Sequence, residues 1–288
     1  MPDPVAAVGP DGPGVRHFTV TMPADPSTPP AWLGRLGPFL ARWAAQRGDW
    51  PPPAPSQVAR VDADPDRTMS LAPRDALEAG AATADRLVNS GTDLVVVSGG
   101  GARTPTLVML AALQDSDPVS VVGTIAVPGW AQLVADVRDG LRATRRHLED
   151  PVAMLDAAGA TEVAELAGLL LQCAVRRTPV LISGALDVCA AALVARRIAP
   201  GTTGWLLAAC SPADRAAKRA LADLGLAPLL DLELDQPAAA ELALGLLVGA
   251  IGLTASGAWA TGETAAGGRA TGGRATGGWA TGGRAAGG

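Results

Sequence analysis

The stretch LVVVSGGGART, residues 94–104, decides the fold of this chain, because four apolar residues lead into a serine and three glycines. An all-apolar run of this length is typical of a strand that is covered on both faces in a parallel sheet. Glycines let the backbone turn sharply, and the apolar residues of the segment 105–113 then predict a helix. The stretch therefore predicts a strand, a tight turn and a helix, which is the basic unit of an α/β protein.

Strand-like and helix-like segments alternate through most of the remaining chain. Short apolar runs predict strands at residues 119–122, 179–182, 205–209 and 229–232, and longer segments between and around them predict helices. Such alternation predicts an α/β fold with a parallel sheet flanked by helices, a Rossmann-like arrangement in three layers. Ligands of these sheets bind beyond the carboxyl ends of the strands. Those ends are residues 98–104, 183–187, 210–214 and 233–237.

Periodicity and composition divide the chain into five segments. Leu33, Leu36, Leu40 and Trp43 recur at helical spacing, whereas the prolines at 51–53 cannot continue a helix. The tail repeats GGRAT with almost no apolar mass, so it cannot offset the entropy cost of ordering. The predicted organisation is an irregular N-terminus (1–30, with one short strand at 17–22), an N-terminal helix (31–47), an exposed linker (48–66), an α/β domain (67–255) and a disordered low-complexity tail (256–288).

Charge and the content of cysteine and histidine exclude several classes of function. The formal net charge of −5 gives no basic face for nucleic acid. Cys173, Cys189 and Cys210 lie far apart without a CxxC pair, and the chain has 2 histidines, so no metal site is expected. No apolar run is judged long enough to cross a bilayer, and the first residues lack the cationic start of a secretory signal. We therefore expect a cytoplasmic protein with no membrane partner, no metal and no cofactor.

The glycine-rich turn is the first candidate for a ligand site. Backbone amides at the start of the next helix can bind an anion that approaches the glycines, and an arginine at that place can pair with a phosphate or carboxylate. The spacing matches neither GxGxxG nor a P-loop, so a tight turn with an exposed arginine is the alternative. A second turn, after residues 179–182, has a serine that either lines the ligand site or caps the next helix. The candidate ligand-binding residues are Ser98, Gly99, Gly100, Gly101, Arg103, Thr104, Ser183 and Gly184.

Two carboxylates after the last predicted strand are the only candidates for catalysis. Glu233 and Asp235 act as a general base if either reaches a substrate proton, and otherwise they are solvated loop acids. With two histidines in the chain, no Ser–His–Asp or Cys–His set is expected.

The order of several segments resembles nicotinate-nucleotide:dimethylbenzimidazole phosphoribosyltransferase, the family that makes the lower-ligand nucleotide of cobalamin. The sequence LGRL at 33–36 is similar to the family's SLGRLE helix, and DALEAG at 75–80 is similar to its ALEAG segment. DAAGATEVAELAG at 156–168, RRTPVLISG at 176–184 and LGLAPLLDL at 224–232 resemble GGFEIAALAG, RRVPVLLDG and LGLEPLLDL. The resemblance covers residues 66–253 and the N-terminal helix.

The family's chemical motifs are changed in this chain. The strand that ends in GDHG in the family falls in the region 48–66, where it is expected to be missing. The family's GEMGIGNTTP matches residues 98–105, which keep the glycines and Thr104-Pro105 but lose the acid and the asparagine. Its GRGTG phosphate loop matches residues 123–127, where only Gly123 remains, and its HRSxEPGH matches residues 210–217. Its GEGTG, which holds the glutamate assigned as general base, matches Gln236-Pro-Ala-Ala-Ala240.

The resemblance implies a divergent phosphoribosyltransferase-like protein of cobalamin lower-ligand synthesis whose catalytic motifs are largely lost. Its expected ligand is a nicotinate mononucleotide-like nucleotide, and its expected partner is a second copy or a paralogue. The alternatives are a non-catalytic subunit or nucleotide-binding regulator of a complete paralogue, and a different enzyme that uses residues 98–104 for another small anion.

Overall fold

Four parallel strands in the order β1-β2-β3-β4 form the central sheet of the computed structural model. The strands are β1 Val58–Asp62, β2 Leu94–Ser98, β3 Val180–Ile182 and β4 Leu206–Ala208. The structure describes residues 16–24, 34, 36–48, 52–62, 71–100, 103–123, 129–232 and 236–255. The predicted tail, 256–288, lies outside these residues.

Helices connect the strands and cover the sheet. Those in the described residues are α1 Leu36–Arg47, α2 Pro73–Asn89, α3 Arg103–Leu113, α4 Pro118–Val122, α5 Trp130–Thr144, α6 Pro151–Ala158, α7 Thr161–Val175, α8 Leu186–Ile198, α9 Arg215–Asp223 and α10 Gln236–Ala255. Two 3-10 turns, Arg145–His147 and Pro200–Trp205, add to them. The predicted α/β fold is confirmed.

The strands alternate their side chains between two apolar layers. Val95 and Val97 of β2 and Ile182 of β3 belong to the larger core, which holds residues of α2, α3, α7 and α8. Leu94 and Val96, on the opposite face of β2, pack in a smaller core with residues of α1 and α10. Because every residue of β2 is buried, its sequence reads as the apolar run from which a parallel sheet was predicted.

The region predicted as an exposed linker contains β1, so that expectation is wrong for residues 58–62. β1 pairs in parallel with β2, with Val58 opposite Leu94 and Asp62 opposite Ser98. Its burial is only partial, as expected of an edge strand with a polar residue at every second or third position. Arg60 of this strand forms a salt bridge with Glu241 of α10. A strand therefore occupies the place where the resemblance led us to expect none.

The segment predicted as a strand at 119–122 is wrong, because it forms the short helix α4. Pro118 stands in the first turn, and the side chain of Asp117 accepts a hydrogen bond from the Ser120 amide at 2.9 Å. These are helix-start signals, and they override the β-propensity of the three valines. The last predicted strand, 229–232, is reduced to one parallel bridge between Leu230 and Cys210. The short strand predicted at 17–22 is likewise reduced to a single bridge residue, Val20.

Helix α10 corrects the expectation that no apolar run reaches bilayer length. Within the described part of the chain, Pro237–Ala255 is long and apolar enough to cross a membrane. In the folded protein, 44% of an 18-residue stretch of this helix is buried. Ala243, Leu247 and Ile251 lie in the smaller core against the sheet. A core helix passes the same test of length and composition, so the helix by itself is no sign of a membrane.

Candidate functional site

The turns after β2, β3 and β4 meet at the carboxyl edge of the sheet. The Ser183 amide donates to the carbonyl of Val97 at 3.1 Å, which joins the second turn to the end of β2. The thiol of Cys210, just after β4, donates to the carbonyl of Ser183 at 3.0 Å. The parallel register thus brings together the two turns that the sequence analysis selected.

Asp187, in the first turn of α8, is hydrogen-bonded to the glycine loop that follows β2. Its carboxylate accepts from the Gly100 amide at 2.9 Å and from the Val188 amide at 2.9 Å. Asp187 is 3% exposed. A Cβ at Gly99 would lie 1.9 Å from the Asp187 carboxylate and 2.4 Å from the Cβ of Ala185. Only glycine fits at position 99, whereas Gly100 has open space where a side chain would stand.

Ser183 and Gly184 lie in the turn after β3, at the carboxyl edge of the sheet. Ser183 is fully buried, and its hydroxyl accepts from the Ala185 amide at 3.5 Å. Helix α8 has Ala185 as its N-cap and no side-chain capping bond, so the interpretation of Ser183 as the helix cap is wrong. Gly184 has φ 97°, and a Cβ there would lie 3.3 Å from the carbonyl of Cys210. The turn needs a left-handed residue at a crowded place, and glycine supplies it.

The other predicted site residues are only partly described. Thr104 is half-buried in the first turn of α3, and Arg103 begins that helix. The side chain of Arg103 and the residues Gly101, Glu233 and Asp235 lie outside the described part of the chain. Their roles in ligand binding and catalysis stay predictions.

Two segments that the resemblance matches to chemical motifs have taken other roles. Gly123 ends α4 with φ 77°, and its carbonyl accepts from the Trp130 indole at 2.7 Å. Residues 236–240 begin helix α10, where Ala239 and Ala240 are buried and Ala240 belongs to the smaller core. Pro237, Ala239 and Ala240 carry no group that accepts a proton.

The cysteines near this edge are not activated. Burial raises the pKa of the Cys210 thiol, and burial followed by the nearby Asp187 charge raises the pKa of Cys189. A thiol acts as a nucleophile or metal ligand only as the thiolate, so neither is poised for that chemistry. Among the described residues, no group of three or more His, Cys, Asp or Glu side chains could hold a metal ion.

Asp187 was not among the predicted site residues, although it ends the range 183–187 that was predicted to follow a strand. The signal was present: an acid in the first turn of the helix that follows a strand lies at the carboxyl edge. What the sequence did not show is that this carboxylate turns toward the neighbouring glycine loop, 87 positions away, instead of toward solvent.

Comparisons of the sequence with known proteins find phosphoribosyltransferases. The family model DBI_PRT, described as Phosphoribosyltransferase, matches residues 66–265. The nicotinate-nucleotide–dimethylbenzimidazole phosphoribosyltransferase of Mycobacterium avium (strain 104) is 44% identical over 188 residues, which are 63% of this chain and 54% of that protein. The protein of the same name from Mycobacterium tuberculosis (strain H37Rv) is 43% identical over 63% of this chain and 52% of its own length. This chain therefore spans about half the length of the curated relatives it matches.

The solved structures agree on the fold. The crystal structure of CobT from Thermus thermophilus matches with a TM-score of 0.65 at 24% identity, over 79% of this chain and 92% of that one. At that identity the match supports the architecture alone.

Proposed function

Because this chain belongs to the DBI_PRT phosphoribosyltransferase family, we propose that it serves cobalamin lower-ligand synthesis in the cytoplasm as a divergent relative of nicotinate-nucleotide–dimethylbenzimidazole phosphoribosyltransferase. It binds a nicotinate mononucleotide-like nucleotide at the carboxyl edge of the sheet. Alone, it transfers the phosphoribosyl group slowly or not at all.

The binding part of this proposal rests on the glycine loop. No neighbouring atom lies within 4 Å of the position that a Cβ at Gly100 would take, so a ligand can approach the backbone there. Helix α3 begins directly after the loop, and its free amides favour a phosphate. We place the nucleotide against Ser98, Gly100 and Thr104, with Gly101 and Arg103 completing the site and with Gly99, Ser183 and Gly184 supporting it.

The reduced activity rests on one observation, which is that residues 236–240 begin helix α10. Attack by a benzimidazole nitrogen on the ribose requires that the ring N–H proton be removed. In the segment matched to the base motif, Pro237 and the three following alanines cannot accept it. General-base catalysis is typically worth ~10²–10⁴-fold, so kcat is expected to fall by about that factor unless Glu233 or Asp235 replaces the base.

Turnover and binding assays test the two parts separately. The chain is mixed with nicotinate mononucleotide and dimethylbenzimidazole, and the α-ribotide is measured by mass spectrometry beside the Mycobacterium tuberculosis relative. We expect product formation at least ~100-fold slower than for that relative, together with binding of the mononucleotide in calorimetry. Equal rates would refute the loss of activity, and no binding at about 10 mM mononucleotide would refute the site.

A matched pair of variants locates the binding. Gly100→Asp places a negative charge in the loop, whereas Gly245→Asp places the same charge on the outer side of α10; both positions have open space. We expect Gly100→Asp to weaken mononucleotide binding about tenfold or more through charge repulsion, and Gly245→Asp to leave it unchanged. Equal effects of the two would exclude this loop.

A non-catalytic subunit or nucleotide-binding regulator of a complete paralogue is the second candidate. It is favoured by the exposed apolar residues Leu242, Leu246, Val248 and Leu253 of α10, since exposed apolar patches mark interaction surfaces. Co-expression with a full-length phosphoribosyltransferase, followed by light scattering on the purified material, tests it. A stable mixed complex whose turnover differs from that of the full-length enzyme supports this candidate, and separate elution of the two chains excludes it.

A further inference from the structure

A pocket of about 720 Å³ opens at the amino edge of the sheet, on the side opposite to the glycine loop. Its lining includes Met22, Gln46, Arg47, Arg177 and Trp205. Arg177 precedes β3 and Trp205 precedes β4, so the pocket is separated from the glycine loop by the length of the strands. The volume lies within the range of small-molecule sites.

The charge of this pocket is opposite to that of the chain. Among the described residues, its lining has two arginines and neither aspartate nor glutamate, in a protein with a formal net charge of −5. A concave surface lined by one sign of charge raises the local concentration of the opposite ion. The pocket is therefore suited to an anion.

Arg177 is the less constrained of the two cations. Its backbone is left-handed, with φ 56°, a conformation that glycine and asparagine adopt more readily than arginine. The neighbouring Arg176 is bound to Asp85 at 2.8 Å, but no acid in the described residues pairs with the Arg177 guanidinium. Arg177 thus stands exposed at the pocket with its charge available.

Arg47 is held in place but only partly neutralised. Its guanidinium lies 5.6 Å from the centroid of the Trp43 ring and 3.7 Å from the Asp93 carboxylate. That carboxylate already accepts three closer hydrogen bonds, from the Ser56 amide and hydroxyl at 2.7 Å and from the Gln57 amide at 3.0 Å. The Arg47 guanidinium also donates to the backbone carbonyl of Asp93 at 3.4 Å. These contacts fix its position and leave its other N–H groups for another anion.

Gln46 adds a hydrogen-bond acceptor to the cationic lining of the pocket. It is 7% exposed, and its Nε2 donates to the carbonyl of Gly204 at 2.7 Å. Its Oε1 is buried and has no hydrogen-bond partner among the described residues. Buried acceptors are almost always satisfied, so a ligand that donates a hydrogen bond there would complete the site.

The apolar part of the pocket is equally well defined. Trp205 is 3% exposed, and its indole donates to the carbonyl of Thr21 at 2.8 Å, which fixes the ring. Trp205 and Met22 both belong to the lining, so part of the pocket surface is apolar. We propose that this amino-edge pocket binds a small organic anion, a carboxylate or phosphate monoester, that carries an apolar ring and a hydrogen-bond donor.

Three related probes with the same hydroxylated ring separate charge from shape. 4-Hydroxybenzoate and 4-hydroxyphenyl phosphate supply the two kinds of anion, and 4-hydroxybenzamide has the same ring and hydroxyl without the charge. Calorimetry on the full chain is expected to show binding of at least one anion at about 1 mM or below, and at least tenfold weaker binding of 4-hydroxybenzamide. The ratio of the two anions tells whether the site prefers a carboxylate or a phosphate.

Arg177→Asn removes the charge at a position where asparagine tolerates the left-handed backbone, so the fold is preserved. It is expected to weaken anion binding about tenfold or more, whereas the matched control Arg146→Asn, at an exposed arginine of the 3-10 turn, is expected to leave it unchanged. Gln46→Glu, which adds a carboxylate to the lining, should weaken it as well. Absence of anion binding up to about 10 mM, or equal binding by wild type and Arg177→Asn, overturns the proposal.

Discussion

The carboxylate of Asp187 accepts a hydrogen bond from the amide of Gly100 at 2.9 Å, across 87 positions of sequence. The contact ties the start of α8 to the loop after β2, and it requires that Gly99, the neighbour of Gly100, have no side chain. The shape of the candidate site is thus set by a residue outside the loop itself.

Removal of this carboxylate should destabilise the protein. Asp187→Ala leaves the partly buried amide of Gly100 and the buried amide of Val188 without their acceptor, and an amide left unsatisfied costs about 1–3 kcal/mol when it is buried. Denaturant unfolding measures the change in the free energy of unfolding. Asp156→Ala, at an exposed acid, serves as the control and should shift it by less than about 0.5 kcal/mol. Equal effects of the two substitutions would contradict a stabilising role for the hydrogen bonds of the Asp187 carboxylate.

The two glycines of the loop should respond differently to alanine. At Gly99 the new methyl group meets the Asp187 carboxylate at 1.9 Å, whereas at Gly100 it meets nothing within 4 Å. We expect Gly99→Ala to lower the free energy of unfolding by about 3 kcal/mol or more through overpacking, and Gly100→Ala to change it by less than about 1 kcal/mol. Thermal unfolding of both variants decides the matter, and the reverse order would show that the loop is packed in another way.

Helices α2 and α7 cross at a second pair of glycines. A Cβ at Gly80 would lie 1.8 Å from the carbonyl oxygen of Glu165, and one at Gly168 would lie 1.9 Å from that of Leu77. Backbone atoms cannot move aside cheaply, so either alanine substitution should cost about 3 kcal/mol or more. Gly245→Ala, at an open position inside α10, should stabilise by about 0.5–1 kcal/mol. Urea unfolding curves compare the three, and tolerance of alanine at position 80 would contradict this close crossing.

The central sheet was predictable because β2 and β3 are buried on both faces and therefore apolar throughout. The same rule misses β1, an edge strand whose Arg60 and Asp62 face the outside. It also mistakes the valines of α4 for a strand, since local capping by Asp117 and Pro118 is stronger than their propensity. Apolar runs thus reveal the centre of a parallel sheet but neither its edge nor its short connections.

The candidate site was predictable in position but not in contacts. Glycines that follow an apolar run locate the carboxyl edge of a sheet, and the structure brings residues 98–100 and 183–187 together there. The amino-edge pocket gave no such signal, because Gln46, Arg177 and Trp205 are distant in sequence and no motif joins the three. Its charge arises only when the chain folds.

Asp85 should make stability depend on pH at the acid end. Burial opposes its ionisation, but hydrogen bonds from Gln172, Arg16 and Arg176 outweigh burial and hold its pKa below the ordinary value. A lowered pKa contributes stability that is present above the unfolded pKa of about 3.9 and is lost as pH falls through the folded pKa. We expect Asp85→Asn to cost about 1–3 kcal/mol near pH 7 and progressively less below about pH 4.

Urea unfolding of wild type and Asp85→Asn across this pH range measures the difference. Asp139→Asn, at an exposed acid of α5, is the control and should show a difference near zero throughout. A difference for Asp85→Asn that stays constant down to about pH 2 would mean that its pKa is not lowered by these partners.

The three cysteines should resist alkylation in the native protein. All of them are buried, and burial raises their pKa values, that of Cys173 to about 12. Because the thiolate is the reactive form, iodoacetamide at about pH 8 should label them only when the structure opens, and all three should be modified in denaturant. Cys210 is the sharpest test, since its thiol donates to Ser183 at the candidate site. Mass spectrometry that finds Cys210 labelled in the native protein as fast as in denaturant would show that its thiol is accessible and ionised, contrary to its burial and its raised pKa.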